Sequence, residues 1–158
     1  MKRIRSVLFA TDLSNASNAA FAAAIALAGR YRASLTVLHV ISPLIPLVPE
    51  QTLAVGAWRD IENETRVWAT RRIAKLVERA RRVGVQAVGR IVDGEPATQI
   101  VRAARASKTG VLVIGTHGRT GVSRLLLGSV AQRVVGAASC PVLTVRSRST
   151  GSSSNRRG

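Results

Sequence analysis

Five short apolar runs recur along this chain, each bounded by turn residues and separated from the next by a helical pattern. They are Ile4 to Ala10, Leu35 to Ile41, Val85 to Val92, Val111 to Ile114 and Pro141 to Val145. Runs that are apolar almost throughout, rather than at alternate residues, suit strands covered on both faces. Such strands alternating with helices predict a single α/β domain, an open five-stranded parallel sheet with helices on both faces. The third run is less apolar and interrupted by Gly89, so it is expected at an edge. Helices are expected over about Asn15 to Arg30, Trp58 to Val83, from Gly94-Glu95-Pro96 onward, and Ser129 to Ala138. Ser14 is placed to cap the first of them, its side chain satisfying an orphan N–H of the first turn. Gly84 offers a stop for the second, and Pro96 falls in a first turn, where a missing N–H costs nothing. Along the second helix Ile61, Thr65, Trp68, Ile73, Leu76, Val77 and Ala80 recur at three- and four-residue spacing. Its basic stripe, Arg71, Lys75 and Arg79 with Arg72 and Arg82 beside it, reads as a solvated face.

Between the second strand and the long helix, Ser42 to Ala57 holds Pro43, Pro46 and Pro49 among Leu44, Ile45, Leu47 and Val48. Prolines this dense exclude regular structure, leaving an apolar loop that folds back on the core or serves as a lid or partner surface. No apolar run approaches the roughly 20 residues of a membrane span. The basic start, Met1 to Arg5, is followed by an apolar piece that Asp12 stops, too short for an export signal. Cys140 is the single cysteine, which excludes an internal disulfide and fits a reducing cytoplasm. Residues 147–158 are rich in Ser, Arg and Gly and are expected to be a disordered tail behind a domain over 1–146.

The stretch Gly115 to Val130 carries the chemistry. It leaves the strand Val111 to Ile114 through Gly115-Thr116-His117-Gly118 and enters a helix at Gly128-Ser129-Val130. Glycines let backbone approach a phosphate, and a helix start offers free N–H donors at the positive end of its dipole. In open parallel sheets ligands sit beyond the carboxyl ends of the strands, where successive connections diverge. If the first and fourth strands are neighbours, Thr11-Asp12 and Gly115 meet at that place.

The spacing Gly115-x2-Gly118-x9-Gly128-Ser129 resembles that of the nucleotide-binding branch of the universal stress protein family. The resemblance runs from Ile4 to Arg146. It includes Val7 to Ser14 at the first strand, Val37 to Val40 at the second and Cys140 to Val145 at the last. It implies a Rossmann-like sheet of order 3-2-1-4-5, ATP as the bound cofactor with Mg²⁺ possible, and a homodimer through the fifth strand, Val142 to Val145. Left bare, that strand would also be a flat apolar edge of the kind proteins cover. By the same resemblance Asp12 meets the ribose and Ala10 and Thr11 form the adjoining wall. Val40 offers backbone to the adenine edge, and Gly115 packs near the ribose. Gly118, Gly128, Ser129 and Val130 surround the phosphates. Asp12 can also simply end a strand or cap the first helical turn. His39 and His117 read as structural, and Arg119, Arg124 and Ser123 as ordinary loop residues able to reach a phosphate. One departure is Lys108-Thr109-Gly110, where members of the family usually carry an acid before the fourth strand. It bears on local packing at the amino end of that strand.

Three functions compete. An ATP-binding regulatory protein follows from the resemblance. A slow ATPase or phosphotransfer enzyme is disfavoured: there is no Gly-x4-Gly-Lys-Ser/Thr loop, no clear general base and no second acid placed for Mg²⁺. Sequence-blind nucleic-acid association follows from the net charge of +16, although few aromatics are available to stack on bases.

Overall fold

A computed structural model describes residues 4–43, 55–116 and 127–147. The chain runs β1 (Ser6–Thr11), a 3₁₀ turn (Asn15–Ser17), α1 (Asn18–Tyr31), β2 (Ser34–Ile41), α2 (Val55–Arg82), β3 (Ala87–Asp93), α3 (Pro96–Ala106), β4 (Val111–Gly115), α4 (Ser129–Ala137) and β5 (Val142–Val145). All five strands pair in parallel, in the order β3-β2-β1-β4-β5. The Pro-rich segment 44–54 and residues 148–158 of the tail lie outside the described residues.

β1 is apolar throughout because it has no exposed face or edge. Val7, Leu8, Phe9 and Ala10 are all under 4% exposed. Val7 and Phe9 join Ala20, Phe21, Ala24 and Ala28 of α1 and Ala69, Ile73, Val77 and Ala80 of α2 in one core. Leu8 and Ala10 join Ile100 and Ala104 of α3 and Ala131 and Val134 of α4 in the other. Successive side chains of a strand point to opposite faces, so a single strand serves both cores. Alanines at every fourth position of α1 keep that helix close to the sheet, and Phe21 reaches Phe9 with ring centroids 5.5 Å apart.

α2 corrects the sequence reading in two ways. It begins at Val55, three residues before the expected Trp58. Its apolar positions are buried only from Ala69 onward, while Ile61 (42%) and Trp68 (43%) stand exposed. The reason is length. Twenty-eight residues make a helix of about 42 Å, whereas the eight residues of β2 span about 26 Å. The amino-terminal half therefore projects past the sheet. At its other end Gly84 takes φ +82, as a stop residue should, and Arg81 donates two hydrogen bonds to the Ala87 carbonyl, fixing α2 to the start of β3.

The turn before β4 is well packed without an acid. Lys108 adopts the left-handed φ of 48, and Thr109, 8% exposed, donates its N–H to the Ala104 carbonyl. Gly110 donates its N–H to the carbonyl and hydroxyl oxygens of Ser6.

Glu95 joins the second pair of helices. Its carboxylate caps α3, accepting from the N–H groups of Ala97 and Thr98 and from the Thr98 hydroxyl, and it meets Arg133 of α4 at 2.7 Å. The Thr98 hydroxyl leads in holding the carboxyl down at about 2, helped by the two N–H groups and Arg133 and opposed by some desolvation. A depressed folded-state pKa contributes stability that is complete above the unfolded value and lost as pH falls through the folded one. Glu95→Ala should cost about 1 kcal/mol near neutrality, as helix caps do. In urea titrations the gap to the parent chain should narrow as pH falls from 4.5 towards about 2. A gap unchanged across that window would show that charge has no part in the cap.

Candidate functional site

The connections of the sheet change sides once. α1 and α2 cover one face and α3 and α4 the other. β1 and β4 lie side by side where the change occurs, with Ala10 opposite Ile114. A crevice therefore opens beyond the carboxyl ends of these two strands.

At the end of β1 the chain turns through Thr11, Asp12 and Leu13. The Thr11 hydroxyl oxygen accepts the Leu13 N–H at 3.0 Å. One carboxylate oxygen of Asp12, Oδ1, accepts the Ser14 N–H at 3.0 Å and the hydroxyls of Ser14 and Ser17, each at 2.7 Å. Leu13 takes φ 64, a left-handed conformation a branched side chain rarely adopts. Arg72, from α2, donates to its carbonyl at 3.0 Å. The expected Ser14 cap is corrected: Ser14 makes no side-chain bond to the turn that follows and donates to Asp12 instead. An ionised carboxylate is the stronger acceptor and collects the nearby donors. Asp12 thus organises the start of the first helical segment, the local role open to it from its position in sequence.

His39 is 7% exposed, with Nδ1 2.9 Å from the Thr11 carbonyl oxygen. The carbonyl accepts, so the ring proton of this pair sits on Nδ1, and the imidazole ties β2 to β1. Thr11 stands opposite His39 in the last registered pair of those strands. Val40 lies one residue further along β2, opposite Val92 of β3, with its side chain in the α3/α4 core.

On the β4 side, Gly115 pairs with Val145, and the Thr116 N–H donates to the Val145 carbonyl at 2.9 Å. The Gly128 N–H then donates to the Thr116 carbonyl at 2.7 Å. This bond brings the entry to α4 back against the end of β4. Gly128 is the N-cap of α4 and supplies no capping side chain; the bond from the Gln132 N–H to the Gly128 carbonyl starts the helix. Val130 packs on the α3/α4 core while Ser129 is exposed. Gly118 lies outside the described residues, as do His117, Arg119, Ser123 and Arg124.

The remaining sequence-derived positions therefore stand at one edge of the sheet: Ala10, Thr11 and Asp12 from β1, Val40 from β2, Gly115 from β4, and Gly128, Ser129 and Val130 entering α4. Sequence reading missed Ser17 and Arg72. Ser17 carries a weak signal, a hydroxyl five residues after an aspartate. Arg72 carries none, since its partner is 59 residues away in the chain. Cys140 is half-buried, and burial pushes its thiol up, away from the reactive thiolate. Among the described residues no three His, Cys, Asp or Glu side chains gather as a metal site would require.

Comparison with known proteins decides the family. Residues 3–146 match the universal stress protein family. The chain belongs to that family. Among relatives of this universal stress protein, one from Methanocaldococcus jannaschii, MJ0531, is 34% identical over 144 residues, covering 90% of this chain and 82% of its own. The solved universal stress protein UspA from Lactobacillus plantarum superposes with a TM-score of 0.81 at 24% identity, over 92% of this chain and all of that one. Two further solved family members carry nucleotides. One, in complex with cAMP, has a TM-score of 0.67 at 24% identity, covering 93% of this chain and all of that one. The other, from Archaeoglobus fulgidus and in complex with dAMP, has a TM-score of 0.67 at 20% identity, covering 92% of this chain and all of its own. At these identities the solved structures speak for the fold.

Proposed function

We propose that the crevice between β1 and β4 binds an adenine nucleotide, with ATP as the ligand, and that the protein acts as a regulatory nucleotide sensor. The observation that carries this is the bond from Gly128 to Thr116. It sets the start of an α-helix with no capping side chain against the strand next to the Asp12 turn, the arrangement an anion needs. Here Asp12 accepts from the ribose hydroxyls, held in orientation through Oδ1, and Ala10 and Thr11 wall the pocket. The Val40 backbone meets the adenine edge, and Gly115 leaves room for the ribose. Gly118 and the N–H groups of Ser129 and Val130, with the Ser129 hydroxyl, hold the phosphates, while Gly128, its own N–H bonded to Thr116, keeps a Cβ out of their space. Mg²⁺, if carried, comes in with the nucleotide and takes its oxygens from the phosphates. That relatives have been solved with cAMP and dAMP supports the adenine assignment. No described helix is long and apolar enough to cross a membrane. A second copy is proposed to pair along β5, an outer strand on which Leu143 is 38% exposed.

Equilibrium dialysis with ATP, ADP and AMP tests the reading. Saturable binding is expected, and Gly128→Val should weaken ATP at least about tenfold, because the side chain fills space that the phosphates need to reach the donors of Ser129 and Val130. Gly128 has φ −58 and ψ 150, a conformation open to valine, so the variant adds bulk without straining the backbone. A folded chain that binds none of the three nucleotides sinks the proposal.

A further inference from the structure

We infer that the cleft between the 3₁₀ turn and α2 is a second ligand site, for a small carboxylate carried on an apolar body. The cleft has a volume of about 270 Å³, at the small end of ligand cavities. Its base is apolar, made by Phe9, Leu13, Phe21 and Leu76. Three cations of α2, Arg72, Lys75 and Arg79, also line it, and no acid does among the described residues. Their spacing of three and four residues puts them on one face of the helix.

Two of these cations are already held in place. Arg72 is fixed by its bond to the Leu13 carbonyl, and the Arg79 guanidinium lies 5.1 Å from the centroid of the Phe21 ring. Lys75 stands between them in the sequence. On the opposite wall the hydroxyls of Ser14 and Ser17 are committed to Asp12 as donors, which leaves the Thr11 hydroxyl and the amides of Asn15 and Asn18 as neutral donors there. Cations above an apolar base select a ligand that is anionic at one end and apolar at the other. A bare phosphate leaves the base unused, and a neutral alkane leaves the cations unpaired. The cleft shares Thr11 with the proposed nucleotide crevice, but its cations come from α2, whereas the phosphate end of the crevice is assigned to the start of α4.

Amide spectra of the ¹⁵N-labelled full chain, titrated with octanoate, octanol or inorganic phosphate, test the assignment. Octanoate should shift amides of residues 14–18 and 72–79 saturably. Octanol and phosphate should bind at least about tenfold more weakly, since each lacks one of the two contacts. Lys75→Glu reverses a charge on an exposed position, so the spectrum should keep its dispersion while octanoate affinity falls at least about tenfold. Shifts centred elsewhere, equal binding of phosphate, unchanged affinity in Lys75→Glu, or no saturation at millimolar octanoate would each overturn the inference.

Discussion

Asp12→Ala should destabilise the protein as well as weaken the nucleotide binding proposed for its crevice. Three donors converge on Asp12 Oδ1, and the alanine leaves all three to find water in a partly buried turn. Hydrogen bonds to a charged acceptor contribute about 1.5–3 kcal/mol each, but these share one atom and do not add. A total of about 2–4 kcal/mol is expected, or roughly 5–15 °C in melting temperature for a chain of this size. Asp12→Asn separates the two roles. It keeps an oxygen acceptor for the turn, so most of the stability should return. It lacks the charge that ribose hydroxyls favour, so nucleotide affinity should remain reduced by about tenfold. Thermal denaturation and dialysis on the same three proteins read both effects. An alanine variant that melts with the parent would remove Asp12 from the turn.

Gly89→Ala should be costly for a reason its exposure conceals. The glycine lies on β3 and is open to solvent, yet an added Cβ would overlap the Cγ2 methyl of Ile73 and lie 3.4 Å from Val77. Ile73 is β-branched and 4% exposed, so the methyl has little freedom to move aside. α2 would have to lift from the sheet edge, at about 1–3 kcal/mol. Ile73→Ala alone should cost about 2–5 kcal/mol by leaving a cavity. Combined, the two should cost less than their sum by about 1 kcal/mol or more, because each corrects the other's packing. Denaturant titrations of the four proteins close the cycle, and strict additivity would show that Gly89 and Ile73 do not meet.

The sheet was legible because its strands are buried on both faces. β1, β2, β4 and β5 begin and end within one or two residues of their apolar runs, and the interruption at Gly89 marked β3 as an edge. Hydrophobic period was a poorer guide on α2. Ile61, Thr65 and Trp68 recur at the same three- and four-residue spacing as Ile73, Leu76, Val77 and Ala80, but a period cannot tell whether a sheet lies beneath that part of the helix. At the crevice, residue types pointed to Asp12 and Gly128, while the bonds that place them did not show. The Ser14 hydroxyl can donate or accept, and only the neighbouring carboxylate decides which. The basic stripe on α2 reads as a solvated face, and its cations are exposed; what the sequence does not show is that Arg72 and Arg79 also touch Leu13 and Phe21.

Leu13 is a position where two requirements on one residue disagree. The backbone at φ 64 would be served better by glycine or asparagine, and the site beneath the side chain, 5% exposed, accepts only an apolar group. Any exchange that relaxes one demand violates the other. About 1–3 kcal/mol of strain is therefore locked into the turn beside the crevice, held there by the burial of a single leucine. Sequence drift at this residue should be narrow on these backbone and packing grounds alone, before any ligand contact is counted. Directed attempts to stabilise the fold will gain little there, and the tolerance of the crevice to change is set partly by a residue behind it.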